Sequence, residues 1–117
     1  MDELKINVEK GSSGASIFRL NGPLTINTLF DFQDRARKEP APAIVIDLSA
    51  VPYMDSAGLG AVLGVLASCQ RNGRGFGLAC VTERIKTLFT VGHVDGLIPV
   101  YDTVEIAESR VVKSASA

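Results

Sequence analysis

The chain has 117 residues, which is enough for one domain with a single core and too short for two. Hydrophobic residues make up 46% of it, so it is neither a disordered nor a fibrous sequence. The formal net charge of -1 provides no excess of basic residues for DNA, RNA or anionic lipid, and direct nucleic-acid binding is therefore not expected.

The composition also predicts a cytoplasmic protein. The N-terminus has neither the basic region nor the apolar segment of a signal peptide, and no membrane span is expected. Cys69 and Cys80 each lie in an apolar run, which favours buried free thiols in a reducing cytosol. Because the paired Cys and His spacing of a metal site is missing, we expect no metal. No cofactor is expected either.

The first third of the chain predicts a hairpin followed by a helix. Residues 4–8 alternate between apolar and polar side chains, as in a strand with one wet face. A Gly- and Ser-rich turn at 11–14 leads into a second apolar run at 15–20, which completes an antiparallel hairpin. From Leu24 to Ala36 the apolar residues follow helical spacing, and basic residues occupy the last turn of this predicted helix.

Strands and helices then alternate. Residues 43–48 are apolar on both faces until Asp47, which is typical of a central strand covered on both sides. A long helix is predicted over 56–71, and a second buried strand over 76–81. Thr82 is the expected N-cap of a short helix that ends at Gly92.

The end of the chain predicts an edge strand and a last helix. Pro99 within the run 97–101 indicates an edge position. Asp102 and Glu105 have capping-box spacing at the start of the last helix. Residues 1–110 are thus expected to form one domain and 111–117 a disordered tail.

This order of elements predicts an α/β fold. A hairpin followed by helix and strand units gives a mixed sheet of four to five strands with about four helices. Right-handed crossovers make the later strands parallel.

The predicted central helix has one unusual face. With about 100° per residue, its core face contains Leu59, Val62, Leu63, Leu66 and Cys69. The opposite face contains small residues only, namely Ala57, Gly60, Ala61, Gly64 and Ser68. Either another part of this chain packs on Gly60 and Gly64, or the face is left bare for another protein. Its position behind Asp55 and Ser56 favours the second interpretation.

Asp55 or Ser56 is expected at the N-cap of this helix, where an oxygen satisfies free backbone N–H groups. A capping role alone would explain why a serine occurs at position 56. The positive end of a helix also favours a phosphate, so Ser56 could be phosphorylated without unfolding the helix. Phosphorylation would instead weaken the binding of a partner docked over the loop, because burying a dianion is unfavourable.

The run Ile-Asp-Leu at 46–48, followed by Val-Pro-Tyr-Met-Asp-Ser-Ala-Gly-Leu-Gly at 51–60, resembles the signature of STAS domains, in particular bacterial anti-sigma factor antagonists. The order of elements is similar from Leu4 to about Ala107. One departure is Gly-Pro-Leu-Thr at 22–25, where many antagonists have Gly-Glu-Leu-Asp.

The resemblance implies a STAS fold and a partner-switching function. The unmodified protein would bind an anti-sigma factor with a GHKL-type serine kinase fold and so free a sigma factor. That kinase would phosphorylate Ser56 and break the complex, and a PP2C-type phosphatase would restore it. The expected partner-binding residues are Met54, Asp55, Ala57, Gly58, Gly60, Ala61 and Gly64. The protein itself would be a monomer or a weak dimer.

Two alternatives remain at the level of sequence. Gly58-Leu59-Gly60 with Gly64 is similar to a dinucleotide fingerprint, but the spacing is one residue too long. A nucleophilic Ser56 lacks a base, since His93 is expected in a surface turn, and we therefore predict no enzyme. The other alternative is a STAS adaptor that is not phosphorylated, in a signalling scaffold or a lipid-transport complex.

Overall fold

The computed structural model describes residues 3–115. Its strands are β1 (Lys5–Lys10), β2 (Ser16–Asn21), β3 (Ala43–Ala50), β4 (Gly75–Ala79) and β5 (Val100–Tyr101). Its helices are α1 (Leu29–Lys38), α2 (Ser56–Arg71), α3 (Glu83–Val91) and α4 (Val104–Ala115). The strands form one sheet in the order β1-β2-β3-β4-β5, in which β1 and β2 pair antiparallel and all other neighbours pair parallel. The predicted mixed α/β domain with an opening hairpin is confirmed. None of the helices within residues 3–115 has both the length and the apolar character needed to span a bilayer.

The central strand β3 separates two cores of different size. Its residues 43–48 are all buried, as expected of a strand that is apolar on both faces. Ile44, Ile46 and Leu48 face the larger core, which α1, α2 and α3 cover. Ala43 and Val45 face the smaller core beneath α4. The large core therefore lies on the side of the sheet that carries α2 and the loop before it.

Asp47 lies on the α4 side of β3 and is almost fully buried. Its Oδ2 accepts a hydrogen bond from Arg19 Nη1 at 2.8 Å, and its Oδ1 accepts one from the Ser49 N–H at 2.9 Å. Burial alone would raise the pKa of Asp47, but the Ser49 N–H and the Arg19 guanidinium outweigh it and hold the pKa below its usual value.

The lowered pKa of Asp47 predicts an acid-sensitive contribution to stability. This contribution is complete above the unfolded-state pKa of about 3.9 and is lost as the pH falls through the lower pKa of the folded state. Asp47→Asn is expected to reduce the free energy of unfolding by about 1 kcal/mol at neutral pH. It should also weaken the fall in stability below about pH 4, measured by urea unfolding across the acid range. Asp34→Asn is the control, because Asp34 pairs with Arg37 and Lys38 on the surface. An equal loss in both variants would contradict the assignment.

Helix α1 begins later than predicted, at Leu29 instead of Leu24. Leu24 is fully buried and forms an isolated parallel bridge with Met54 in the loop before α2. Its backbone polar groups are used in that pairing, so the helix starts only after a turn in which the Thr25 carbonyl accepts from the N–H groups of Thr28 and Leu29. Hydrophobic spacing alone does not distinguish such a residue from the first turn of a helix.

The last helix differs from the prediction at both ends. Thr103 caps it, through a hydrogen bond from the Ile106 N–H to Thr103 Oγ1 at 3.1 Å, so the predicted capping box of Asp102 and Glu105 is wrong. The helix continues to Ala115, and Val111 is buried in the smaller core. The predicted boundary at residue 110 is therefore too early. Residues 116–117 of the predicted tail lie outside the described residues.

Both cysteines are free thiols, as predicted. Burial raises the pKa of the thiols of Cys69 and Cys80. Cys69 is fully buried, but Cys80 is only half-buried, so the expectation of burial is wrong for Cys80. Within residues 3–115, no three His, Cys, Asp or Glu side chains come together as metal ligands would.

Candidate functional site

The loop between β3 and α2 is fixed by pairing with the residues that follow β2. The Leu24 N–H donates to the Tyr53 carbonyl at 3.2 Å, and the Asp55 N–H donates to the Leu24 carbonyl at 3.3 Å. Val51 and Met54 are 1% and 7% exposed and anchor the loop in the larger core. Residues 51–55, which we call the switch loop, are thus held by the β2–α1 connection.

Asp55 is the N-cap of α2. Its Oδ1 accepts from the Gly58 N–H at 2.8 Å, and its Oδ2 accepts from the Ile26 N–H at 3.1 Å. One carboxylate therefore joins the start of α2 to the turn before α1. The sequence left the cap open between Asp55 and Ser56, and the structure assigns it to Asp55.

Ser56 is the first residue of α2 and is exposed to solvent. Because Asp55 provides the cap, the Ser56 hydroxyl is not needed to hold the start of the helix. It lies at the positive end of the α2 dipole, where a phosphate group is favoured. The geometry therefore presents a hydroxyl that can be modified without loss of the cap.

Helix α3 also lies beside the switch loop, at Tyr53. The Arg84 guanidinium is 5.7 Å from the centre of the Tyr53 ring, so α3 contacts the switch loop through a cation–π pair. His93, the single histidine of the chain, is exposed at a positive φ of 60° in the turn after α3, as predicted.

The exposed side of α2 is open at Gly60 and Gly64. A Cβ atom placed on Gly60 would meet no heavy atom within 4 Å, and one on Gly64 would meet only Gln33 Nε2 at 4.0 Å. Close packing of this chain on these glycines, the first of the two sequence interpretations, is therefore wrong. Ser56 and Gly60 are four residues apart and share one face of the helix.

Three residues of the predicted partner-binding set are buried. Met54 is 7% exposed and Ala61 only 1%, so the prediction that Ala61 lies on the open face is wrong. Gly58 is also buried, and a Cβ there would lie 2.1 Å from the Leu24 carbonyl oxygen. The reason is that the β2–α1 connection and α1 pack against α2, so that its buried arc includes Gly58 and Ala61. Leu63, predicted in the core, is only partly buried.

Sequence reasoning missed two exposed apolar residues beside this site. Ile26 is 54% exposed in the turn before α1, and Phe30 is 65% exposed in the first turn of α1. Helical spacing could have identified Phe30 as exposed, because it lies off the face of α1 that contains the buried Leu29 and Phe32. No comparable signal marked Ile26, since it was placed inside a helix.

Thr25 occupies the position where many antagonists carry an acid. It is 7% exposed, and its Oγ1 accepts from the Asn27 N–H at 3.3 Å. Its side chain thus stabilises the turn and is directed away from solvent.

The fold and the site define a small mixed-sheet α/β domain with an exposed serine next to the N-cap of its central helix. The STAS domain family model matches residues 6–107. The chain belongs to the STAS domain family.

Known relatives agree with this assignment. The anti-sigma-B factor antagonist of Staphylococcus epidermidis is 29% identical over 91 residues, which cover 75% of this chain and 84% of the relative. A crystal structure of an anti-sigma factor antagonist from Mycobacterium paratuberculosis has a TM-score of 0.75 at 25% identity, and covers 92% of this chain and 93% of its own. The Bacillus cell fate determinant SpoIIAA in its phosphorylated form has a TM-score of 0.71 at 20% identity, with 92% and 99% covered, and shows likeness of fold.

Proposed function

We propose that this protein is an anti-sigma factor antagonist that works by partner switching in the cytoplasm. Unphosphorylated, it binds an anti-sigma factor that is also a GHKL-type serine kinase, and it thereby regulates transcription that depends on a sigma factor. Phosphorylation of Ser56 releases it. The observation that carries the proposal is that Asp55 caps α2, while Ser56 is exposed to solvent on the same face as the open Gly60.

The mechanism follows from the charge of the modified serine. A neutral Ser56 hydroxyl and the bare face at Gly60 allow a partner's backbone to approach closely. A phosphoserine carries about -1.5 to -2 charges at neutral pH. A kinase holds nucleotide phosphates next to the hydroxyl that it modifies, so the product faces like charge and a desolvation cost in the same complex. A PP2C-type phosphatase hydrolyses the ester and returns the hydroxyl.

The relatives support the same function. The S. epidermidis relative is named as an anti-sigma-B factor antagonist, and SpoIIAA has been solved in unphosphorylated and phosphorylated forms. The switch loop of this chain keeps an acid directly before the serine. The proposed partner surface consists of the exposed residues Ser56, Gly60 and Gly64, with half-buried Ala57 at its margin.

The switch predicts opposite behaviour of two Ser56 variants. Ser56→Ala should stay bound to the kinase in the presence of ATP, whereas Ser56→Asp should bind at least tenfold more weakly, about 1.4 kcal/mol. Both variants are used as bait in the native cytosol, and the captured kinase is then purified for calorimetry. Thermal unfolding of both variants provides the control for folding. Equal affinity of the two variants would contradict the switch.

A second candidate function is favoured by Thr25. Position 25 carries a threonine, which is buried in the turn, so the acid expected near the kinase is missing, and this favours a STAS adaptor that is never phosphorylated. Intact-mass measurement after incubation with the purified kinase and ATP separates the two. Addition of one phosphate, lost in Ser56→Ala, supports the antagonist, and an unchanged mass with binding retained supports the adaptor.

A further inference from the structure

We propose that Phe30 and Ile26 form an apolar anchor that extends the partner surface from α2 onto the start of α1. The occupant is an apolar pocket with a basic border on the same serine kinase that binds at Ser56. This inference rests on the proposed function, and it adds the residues that give the contact its affinity.

The anchor is continuous with the site at Ser56. The Ile26 N–H is bonded to Asp55, the residue before Ser56, so Ile26 is fixed beside the start of α2. Gln33 reaches the level of Gly64, and Phe30 lies one turn earlier on α1, toward the level of Gly60. A partner that covers Ser56 and Gly60 therefore meets Phe30 without crossing another element.

Phe30 and Ile26 are large apolar residues, yet more than half of the surface of each is exposed to solvent. Phe30 is 65% exposed and Ile26 is 54% exposed, while the neighbouring Leu29 and Phe32 are 5% and 0% exposed. Aromatic residues that become buried at the centre of an interface commonly carry most of its affinity. Neither side chain supports the core, so both are available to a partner.

Two open hollows adjoin Phe30. One of about 410 Å³ is bordered by Phe30, Asp31 and Glu3 among others, and one of about 420 Å³ by Phe30, Asp31 and Asp34 among others. Side chains of a partner pocket can enter both hollows and enclose the ring. Phe30 therefore projects as a knob between two recesses.

The charged residues at the hollow beside Glu3 are both carboxylates, whereas Arg37 also borders the other hollow, so a basic border on the partner is expected on the Glu3 side of the anchor. Asp34 is paired with Arg37 and Lys38. Asp31, which borders both hollows, is exposed, and Glu3 adds a second carboxylate. Lys or Arg side chains around the partner's apolar pocket would complement these carboxylates.

The test uses the purified kinase recovered with Ser56→Ala, loaded with ADP, and measures Kd by calorimetry. Phe30→Ala is expected to raise Kd at least tenfold and Ile26→Ser at least threefold. Asp31→Asn should make Kd less sensitive to salt. In phosphorylation assays Phe30→Ala should raise KM for this protein with kcat unchanged, because the anchor lies outside the reacting group.

Leu97→Ala is the matched control, because Leu97 is also 65% exposed but lies in the segment between α3 and β5. Its Kd should stay within twofold of wild type, and thermal unfolding should show that all variants are folded. A wild-type Kd for Phe30→Ala, combined with loss of binding in Ser56→Asp, would overturn the anchor and leave the switch intact. If the kinase neither binds nor phosphorylates the wild-type chain, the proposed function fails, and the anchor with it.

Discussion

Gly58→Ala is expected to destabilise the protein by about 3 kcal/mol, the upper end of what overpacking of a core costs. In the interior of an exposed helix the same change would stabilise by about 0.5 to 1 kcal/mol. Here the added methyl would lie 2.1 Å from the Leu24 carbonyl oxygen and 2.9 Å from Met54 Cγ. The first of these neighbours is backbone and cannot rotate away, so α2 and the β2–α1 connection must separate. Urea unfolding monitored by circular dichroism measures the change.

Gly60→Ala is the matched control for Gly58→Ala. It lies two residues further along the same helix, and its Cβ would meet no heavy atom within 4 Å. We expect it to stabilise the free protein by about 0.5 to 1 kcal/mol, while it weakens binding of the kinase because the methyl projects from the bare face. If Gly58→Ala were as stable as Gly60→Ala, the close contact between Leu24 and α2 would be wrong.

Gly58 and Gly60 show how much of the site could be predicted from the sequence. The spacing of apolar residues predicted α2 and its open face, and Gly60 and Gly64 are exposed as predicted. The same spacing placed Ala61 on the open face and left Gly58 without a core role, because it contains no information on which element packs beside α2. The position of Leu24 decides that question, and Leu24 was itself assigned to a helix. A residue that pairs across the fold through its backbone gives no periodic signal.

The hairpin, the central position of β3 and the caps at Thr82 and Gly92 were predictable because each depends on neighbouring residues. The surface formed by Ile26 and Phe30 was not. It depends on the distance between the turn before α1 and the start of α2, which only the packed structure supplies. Local chemistry therefore identified Asp55 and Ser56, but not the exposed residues that lie beside them.

Asp55→Ala is expected to cost about 2 to 3 kcal/mol, because one side chain makes two structural hydrogen bonds. Loss of an N-cap usually costs about 1 kcal/mol, and a hydrogen bond to a charged group contributes about 1.5 to 3 kcal/mol. The bonds to the Gly58 and Ile26 N–H groups are lost together. The switch loop and the turn before α1 should then move independently, so faster amide hydrogen exchange at Ile26 is the direct measurement.

Asp55→Asn separates the two bonds. Asparagine caps helices about as well as aspartate, but it keeps only one of the two oxygens that accept from the Gly58 and Ile26 N–H groups, and the other becomes an NH2 group, which cannot accept from an N–H. If that oxygen keeps the Gly58 N–H, the start of α2 stays intact while Ile26 is released. We expect a smaller loss of stability than in Asp55→Ala, and weaker kinase binding although Ser56 and Phe30 are unchanged. Wild-type binding by Asp55→Asn, with exchange at Ile26 increased, would show that the turn does not need to be fixed for the partner to dock.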